Sequence, residues 1–196
     1  MANRHEIIAA DLLAPEEYAR VRVERRRALT ERKRRRRVDV GPYVTFYFEC
    51  YDTMWLQIQE MLHIERGGAA QIPDELAAYN PLVPNGQELV ATFMIEIDDP
   101  ARRAAALARL GGVEETAFLR VGGHTIRARP EADQDRTSTE GKASSVQFVH
   151  FPFTPVEIAA FSRSGAEVVL GLDHPEYRHM AVLAEPVRAE LAGDFG

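Results

Sequence analysis

Residues Gly41–Gly67 read GPYVTFYFECYDTMWLQIQEMLHIERG, and how this stretch divides decides the fold. Gly41-Pro42 breaks whatever precedes it. Tyr43–Cys50 is dense in β-branched and aromatic residues, which suit a pleated, half-buried surface and mark a strand. Asp52 or Thr53 then caps a helix over 54–66, which Gly67-Gly68 ends. On that helix Glu60 and His63 lie three residues apart on one face, and Glu176 and His179 repeat the spacing further on. Glu-x-x-His is the ligand spacing of carboxylate-bridged di-iron sites, which need four long helices facing one core. A strand running straight into the helix speaks against that scaffold.

Working outward, the rest of the chain speaks against it too. Upstream, Pro15-Glu16-Glu17 opens a helix that meets no Gly or Pro before about Arg36. Downstream, a short helix over Pro73–Tyr79 leads into the turn-rich YNPLVPNG, and Glu88–Ile97 alternates as a second strand. DPARRAAALARLGG carries Asp at the cap, Pro at N1 and Gly at the exit of a helix. TAFLRVGGHTIRAR reads as a hairpin, VQFVHFPF as a strand, and TPVE at Thr154–Glu157 as a capping box opening a helix to about Arg163. AEVVLGLDH is the last expected strand, and 176–191 reads as a helix interrupted at Pro186. The fold class is therefore α+β: a mixed or mainly antiparallel sheet of about five or six strands with helices packed on it. A long basic helix over 15–37 precedes the sheet, and a polar, flexible loop is expected over 130–145. The chain, 1–196, reads as one domain.

Composition narrows the function classes. Apolar residues form 45% of the chain, enough to build a core. Cys50 is the only cysteine, which excludes a disulfide framework, a Cys-based zinc site and an ordinary iron–sulfur centre, and leaves a buried thiol as the expectation. No apolar run approaches the roughly 20 residues of a membrane span, and the N-terminal stretch lacks the hydrophobic core of a signal peptide. A cytoplasmic protein is expected. Residues 1–40 hold 12 Lys/Arg against 7 Asp/Glu, and the remainder 12 against 23. The positive excess concentrates in Arg25–Arg37, which attracts phosphates without sequence preference. Neither a recognisable module nor interleaved aromatics back it, so nucleic acid is disfavoured. Arg34, Arg35, Arg36 and Arg37 are instead expected to dock on an acidic surface, either of a partner or of this chain.

Six blocks, GPYVTFYFE, QIQEMLHIE, YNPLVPNG, ATFMIEI, KASSVQFVHF and DHPEY, together resemble the bacterial domain-of-unknown-function family 3501. The likeness runs over nearly the whole chain. In that family the helix motif is usually Gln-x-Gln-Glu-Met-Leu-Arg-x-Glu, which implies that His63 stands at an arginine position. An arginine does not coordinate metals, so the resemblance removes His63 from any ligand set and points to Gln57, Gln59, Glu60 and Glu65. It also singles out His174 and Tyr177 of DHPEY. His150, in mid-strand, is expected to pack against its neighbours.

Two functional expectations follow. The resemblance places the chain near rubrerythrin-like and iron–sulfur oxidoreductase systems, which implies an accessory or interaction protein in iron- or peroxide-related redox chemistry, with a redox protein as partner. The alternative is a small enzyme centred on His174 with Glu49 and Glu60. In its mononuclear metal form, His174, Glu49, Glu60 and Glu65 would hold a divalent iron, manganese or zinc ion. In its acid–base form, His174, Glu60 and Tyr177 would carry the catalysis. The reading allows a homo-oligomer.

Overall fold

The computed structural model describes residues 4–131 and 142–196. Most of the loop expected over 130–145 lies outside them. The basic run forms helix α1, Pro15–Arg34, with Pro15 at N1 and Glu16 and Glu17 in the first turn. Arg35 and Arg36 leave the helix, and strand β1 follows at once, Arg37–Val40. The helix expected to run to Arg37 thus stops three residues short. Arg37-Val38-Asp39-Val40 alternates polar and apolar, and its two valines are buried.

A hairpin turn through Gly41 leads into β2, Val44–Phe48, and α2 follows as Tyr51–Glu65. The Thr53 hydroxyl accepts the Cys50 N–H at 2.9 Å, which satisfies one of the helix's free amides. Helix α3, Ile72–Tyr79, precedes β3, Glu88–Ile95. After α4, Pro100–Leu107, come β4, Ala117–Val121, β5, His124–Arg127, and the two-residue β6, Arg129–Pro130. The chain ends with β7, Val146–Pro152, α5, Pro155–Ser162, β8, Val168–His174, β9, Tyr177–Val182, and α6, Glu185–Ala192. Strand β9 replaces the start of the helix expected over 176–191. Pro175 and Glu176 form a two-residue turn, so Tyr177 pairs back against His174, and Glu176 and His179 never share a helix.

Among the described residues, nine strands form two sheets, in the orders β1-β2-β3-β7-β6 and β5-β4-β8-β9. Every pairing is antiparallel. The fold is α+β, with the strands divided between two sheets where one was expected. The sheets face each other across a single apolar core. Phe46, Phe93 and Phe151 enter it from one side and Leu119, Leu170 and Leu172 from the other. Leu107, Phe161 and Leu191 add to the same core from α4, α5 and α6.

Period-two alternation then sends the opposite residues of the five-stranded sheet outward. Tyr47, Thr92, Met94, Phe148 and His150 lie on that face, and the first three helices cover it. Met54 and Ile58 of α2, with Leu82 and Val90, form a second, smaller apolar cluster there. No helix among the described residues is long and apolar enough to cross a membrane.

Candidate functional site

Between the outward face of the five-stranded sheet and helices α1 and α2 lies a cleft of about 570 Å³. That volume is within the range of small-molecule sites. Its floor is made by Tyr47, Thr92, Met94, Val146 and Phe148 from three adjacent strands. Met54 and Gln57 of α2 form one wall, with Tyr79 and Leu82 beside them. The end of α1 contributes Thr30, Lys33 and Arg34.

One carboxylate sits in this largely apolar space. Glu49 is 9% exposed, and its Oε1 accepts the Thr92 hydroxyl at 2.7 Å. The local chain path explains its position. The Glu49 N–H bonds to the Val90 carbonyl at 2.8 Å, which extends the β2–β3 ladder by one residue and turns this side chain outward with Thr45 and Tyr47. Thr92 is then its diagonal cross-strand neighbour. Gln57 Nε2 donates to the Tyr79 hydroxyl at 3.4 Å across the same cleft.

Beneath Glu49, the arginine run closes on itself. Arg36 is 1% exposed; it donates through Nε to the Phe48 carbonyl at 3.0 Å and through one Nη to the Glu49 carbonyl at 2.8 Å. The same nitrogen reaches the Asp194 carboxylate. Arg32 bonds Asp52 and Glu190, and Arg35 pairs with Glu190 at 3.4 Å. Arg34 pairs with Glu31 at 3.0 Å, and Arg37 pairs with Asp39 at 3.1 Å while lying over the Tyr47 ring. The arginines therefore dock mainly on acids of this chain. Arg36 is not presentable to a partner, whereas Arg34, Arg35 and Arg37 are exposed.

The remaining expected site residues lie elsewhere. Glu60 faces α1, where Arg22 grips both of its oxygens at 2.8 and 2.7 Å and the Tyr18 hydroxyl donates to it. The Arg22 hydrogen bonds hold its pKa down at about 2, against the opposing effect of burial. Glu65 is exposed and accepts from Gln71 Nε2 at 2.7 Å. Gln59 is buried and bonds the Leu13 backbone. His63 lies edge-on to the Tyr18 ring, at the side of a separate cavity.

His174 is on the four-stranded sheet and is 8% exposed. Its Nδ1 accepts the Glu176 N–H at 3.2 Å, which forces the proton onto Nε2, and that N–H donates to the Gly111 carbonyl at 3.2 Å. Both nitrogens are occupied by backbone, so neither is open to a metal or a substrate. Tyr177 is likewise structural. Its hydroxyl donates to the Val40 carbonyl at 2.7 Å and accepts the Tyr43 N–H at 3.3 Å, tying the β8–β9 hairpin to the β1–β2 turn. Burial raises its pKa. Gly41 allows this approach: its φ is +74°, and a Cβ there would sit 2.5 Å from the Tyr177 oxygen.

His174, Glu49, Glu60 and Glu65 thus do not converge, and among the described residues no group of three or more His, Cys, Asp or Glu is arranged to hold a metal ion. One constellation was missed by sequence reasoning. His150 is held at Nδ1 by Glu88 at 3.1 Å and at Nε2 by Glu131 at 2.8 Å. Burial opposes its charge, but the two carboxylates prevail and raise its pKa. Its outward register on β7 was the available signal.

Five of the six sequence blocks quoted above supply cleft residues: Tyr47 and Glu49, Gln57, Tyr79 and Leu82, Thr92 and Met94, and Val146 and Phe148. DHPEY alone stands apart, at the hairpin tie. The family described as "Protein of unknown function (DUF3501)" matches residues 6–195. The chain belongs to the DUF3501 family. This DUF3501 protein is also similar to a solved structure, described as the crystal structure of a novel protein of unknown function from Burkholderia pseudomallei K96243. The identity is 39% over 97% of this chain and 99% of that one, with a TM-score of 0.89. No curated protein matches the chain.

Proposed function

We propose that this DUF3501 protein binds a small organic molecule in the cleft over the five-stranded sheet, with Glu49 as the anchoring group. The observation that carries the reading is Glu49 itself. The residue is 9% exposed, and it lines a cleft rich in apolar groups. Among the described residues its only hydrogen-bond donor is the neutral Thr92 hydroxyl. A carboxylate with one neutral donor keeps acceptor capacity that a further donor can fill. A ligand carrying an N–H or O–H supplies that donor, while its apolar body covers Met94 and Phe148.

Of the three residues on which the enzyme expectation centres, Glu49 alone faces this space; Glu60 is spent on Arg22 and His174 on backbone. The accessory role in an iron- or peroxide-related redox system keeps Arg34, Arg35 and Arg37 as exposed cations. Each already pairs within the chain, which makes this the weaker reading.

Thermal denaturation against a fragment library tests the cleft. A true ligand at a hundred times its Kd stabilises by about 2.7 kcal/mol and raises Tm accordingly. The effect should vanish in Glu49→Gln, and in Met94→Trp, whose indole fills the floor. Compounds that stabilise both variants as well as they do the native chain would sink the reading.

A further inference from the structure

The basic run ends in six consecutive cations, residues 32–37. Five of them have carboxylate partners: Arg32, Arg34, Arg35, Arg36 and Arg37. Lys33 is the exception, and among the described residues no carboxylate reaches its ammonium. It stands in the last turn of α1, where the helix dipole favours a cation, and its side chain lines the cleft.

Across the cleft, Glu49 is the opposite exception. Arg36 lies against its backbone, with Nε and one Nη on the Phe48 and Glu49 carbonyls and on Asp194 and the other Nη 3.6 Å from Glu190. Glu49 and Lys33 form no ion pair with each other. Of the five charged residues that line the cavity, Arg34, Arg36 and Arg37 have carboxylate partners, while Glu49 and Lys33 stay apart. The surface between them is not neutral in its preferences. The rings of Tyr79 and Phe148 line the same cleft, and aromatic faces attract an organic cation.

We propose that the ligand of this cleft is a small dipolar molecule, a zwitterion with a cationic amine at Glu49, an anionic group at Lys33 and an apolar segment joining them. The assignment rests on the cleft reading above and adds the ligand's chemical class to it. A neutral apolar ligand leaves both charges unmet. A simple amine meets Glu49 and leaves Lys33, and a simple acid does the reverse while facing the buried carboxylate.

Isothermal titration with matched straight-chain probes tests it: a series of ω-amino acids of increasing length, and the alkylamine and alkanoate of each length. One ω-amino acid should bind at least about tenfold more tightly than its matched amine or acid. In Lys33→Gln its affinity should fall to that of the amine, and in Glu49→Gln to that of the acid or below. Lys33 is exposed and Glu49→Gln is isosteric, so both variants keep the fold. Equal binding by amine and ω-amino acid at every length, or loss in neither variant, overturns the dipolar assignment and leaves the cleft reading standing. Failure of every probe, alongside a library hit that Glu49→Gln abolishes, overturns the assignment in the same way. Failure of the cleft reading shows separately, as stabilising compounds indifferent to Glu49→Gln and Met94→Trp.

Discussion

The tip of the β8–β9 hairpin and the cleft over the five-stranded sheet both gather the residue types of active sites, and they use them in opposite ways. At the hairpin, His174 and Tyr177 direct each polar atom to a backbone group: Gly111, Glu176, Val40 and Tyr43. In the cleft, Glu49 meets one neutral hydroxyl and Lys33 meets no carboxylate among the described residues. A histidine and a tyrosine are the more eye-catching pair, yet they are fully occupied in holding two turns together. What separates scaffold from site here is who the partners are. Backbone partners consume a side chain's capacity, whereas an incomplete shell leaves some of it for a ligand.

The largest expected effect tests the boundary between the two regions. Arg36 lines the cleft but is paired like the scaffold, so Arg36→Met should behave as removal of half of a buried ion pair. It should cost about 3–5 kcal/mol in urea denaturation, because Asp194 and two strand-end carbonyls lose their donor. A loss under about 1 kcal/mol would mean that Arg36 is not a structural clamp. The comparison would then have to move it to the ligand's side.

Tyr177→Phe should act on the hairpin alone. It strands the Val40 carbonyl and the Tyr43 N–H beneath a well-packed ring and should cost about 1–3 kcal/mol. Affinity of any cleft ligand should stay unchanged. Glu49→Gln should give the mirror image, with binding lost and stability nearly kept. Denaturation and titration of the same two variants measure both arms. Equal binding losses in both would break the distinction between the regions.

How much of this was legible in the sequence follows the same division. Strand β2 and helix α2 were readable because a dense β-branched and aromatic run and a helical stretch ended by glycines are local signals. The cap was misplaced: the helix starts at Tyr51 with Cys50 at the N-cap, ahead of the expected Asp52 or Thr53. Thr154–Glu157 formed its box, and Asp99 capped α4. Strand β1 was hidden because the basic run holds no Gly or Pro to end the helix, although Val38 and Val40 already alternated. Strand β9 was hidden because the helix reading ran through Tyr177–Val182, whereas a two-residue turn at Pro175-Glu176 folds it back. Glu49 was named as a candidate, but its companions were not. Thr92, Met94, Phe148 and Lys33 come together only through strand register and the docking of α1, which are long-range facts. The role of His174 was hidden for a related reason: Glu176 is a local partner set by the turn, but Gly111 meets Nε2 only through the fold.

The smallest expected effect concerns His150, which shares the cleft's face but is satisfied by side chains. Carboxylates at both ring nitrogens favour the imidazolium, in which both nitrogens donate. Its folded pKa is raised above the ordinary 6.5, so its contribution to stability is complete below that value. The contribution is lost as pH rises through the raised folded pKa. Urea midpoints across the neutral range should therefore show a gap between native chain and His150→Gln that narrows with rising pH. A gap independent of pH would mean that the imidazole packs without titrating. Glu131 also bonds the Phe148 carbonyl through its N–H at 3.1 Å, and Phe148 is part of the cleft floor. Ligand affinity measured over the same pH range sharpens the comparison. An affinity that tracks the His150 titration would show that this ion-paired edge belongs to the site, while one that ignores it would place His150 with the scaffold.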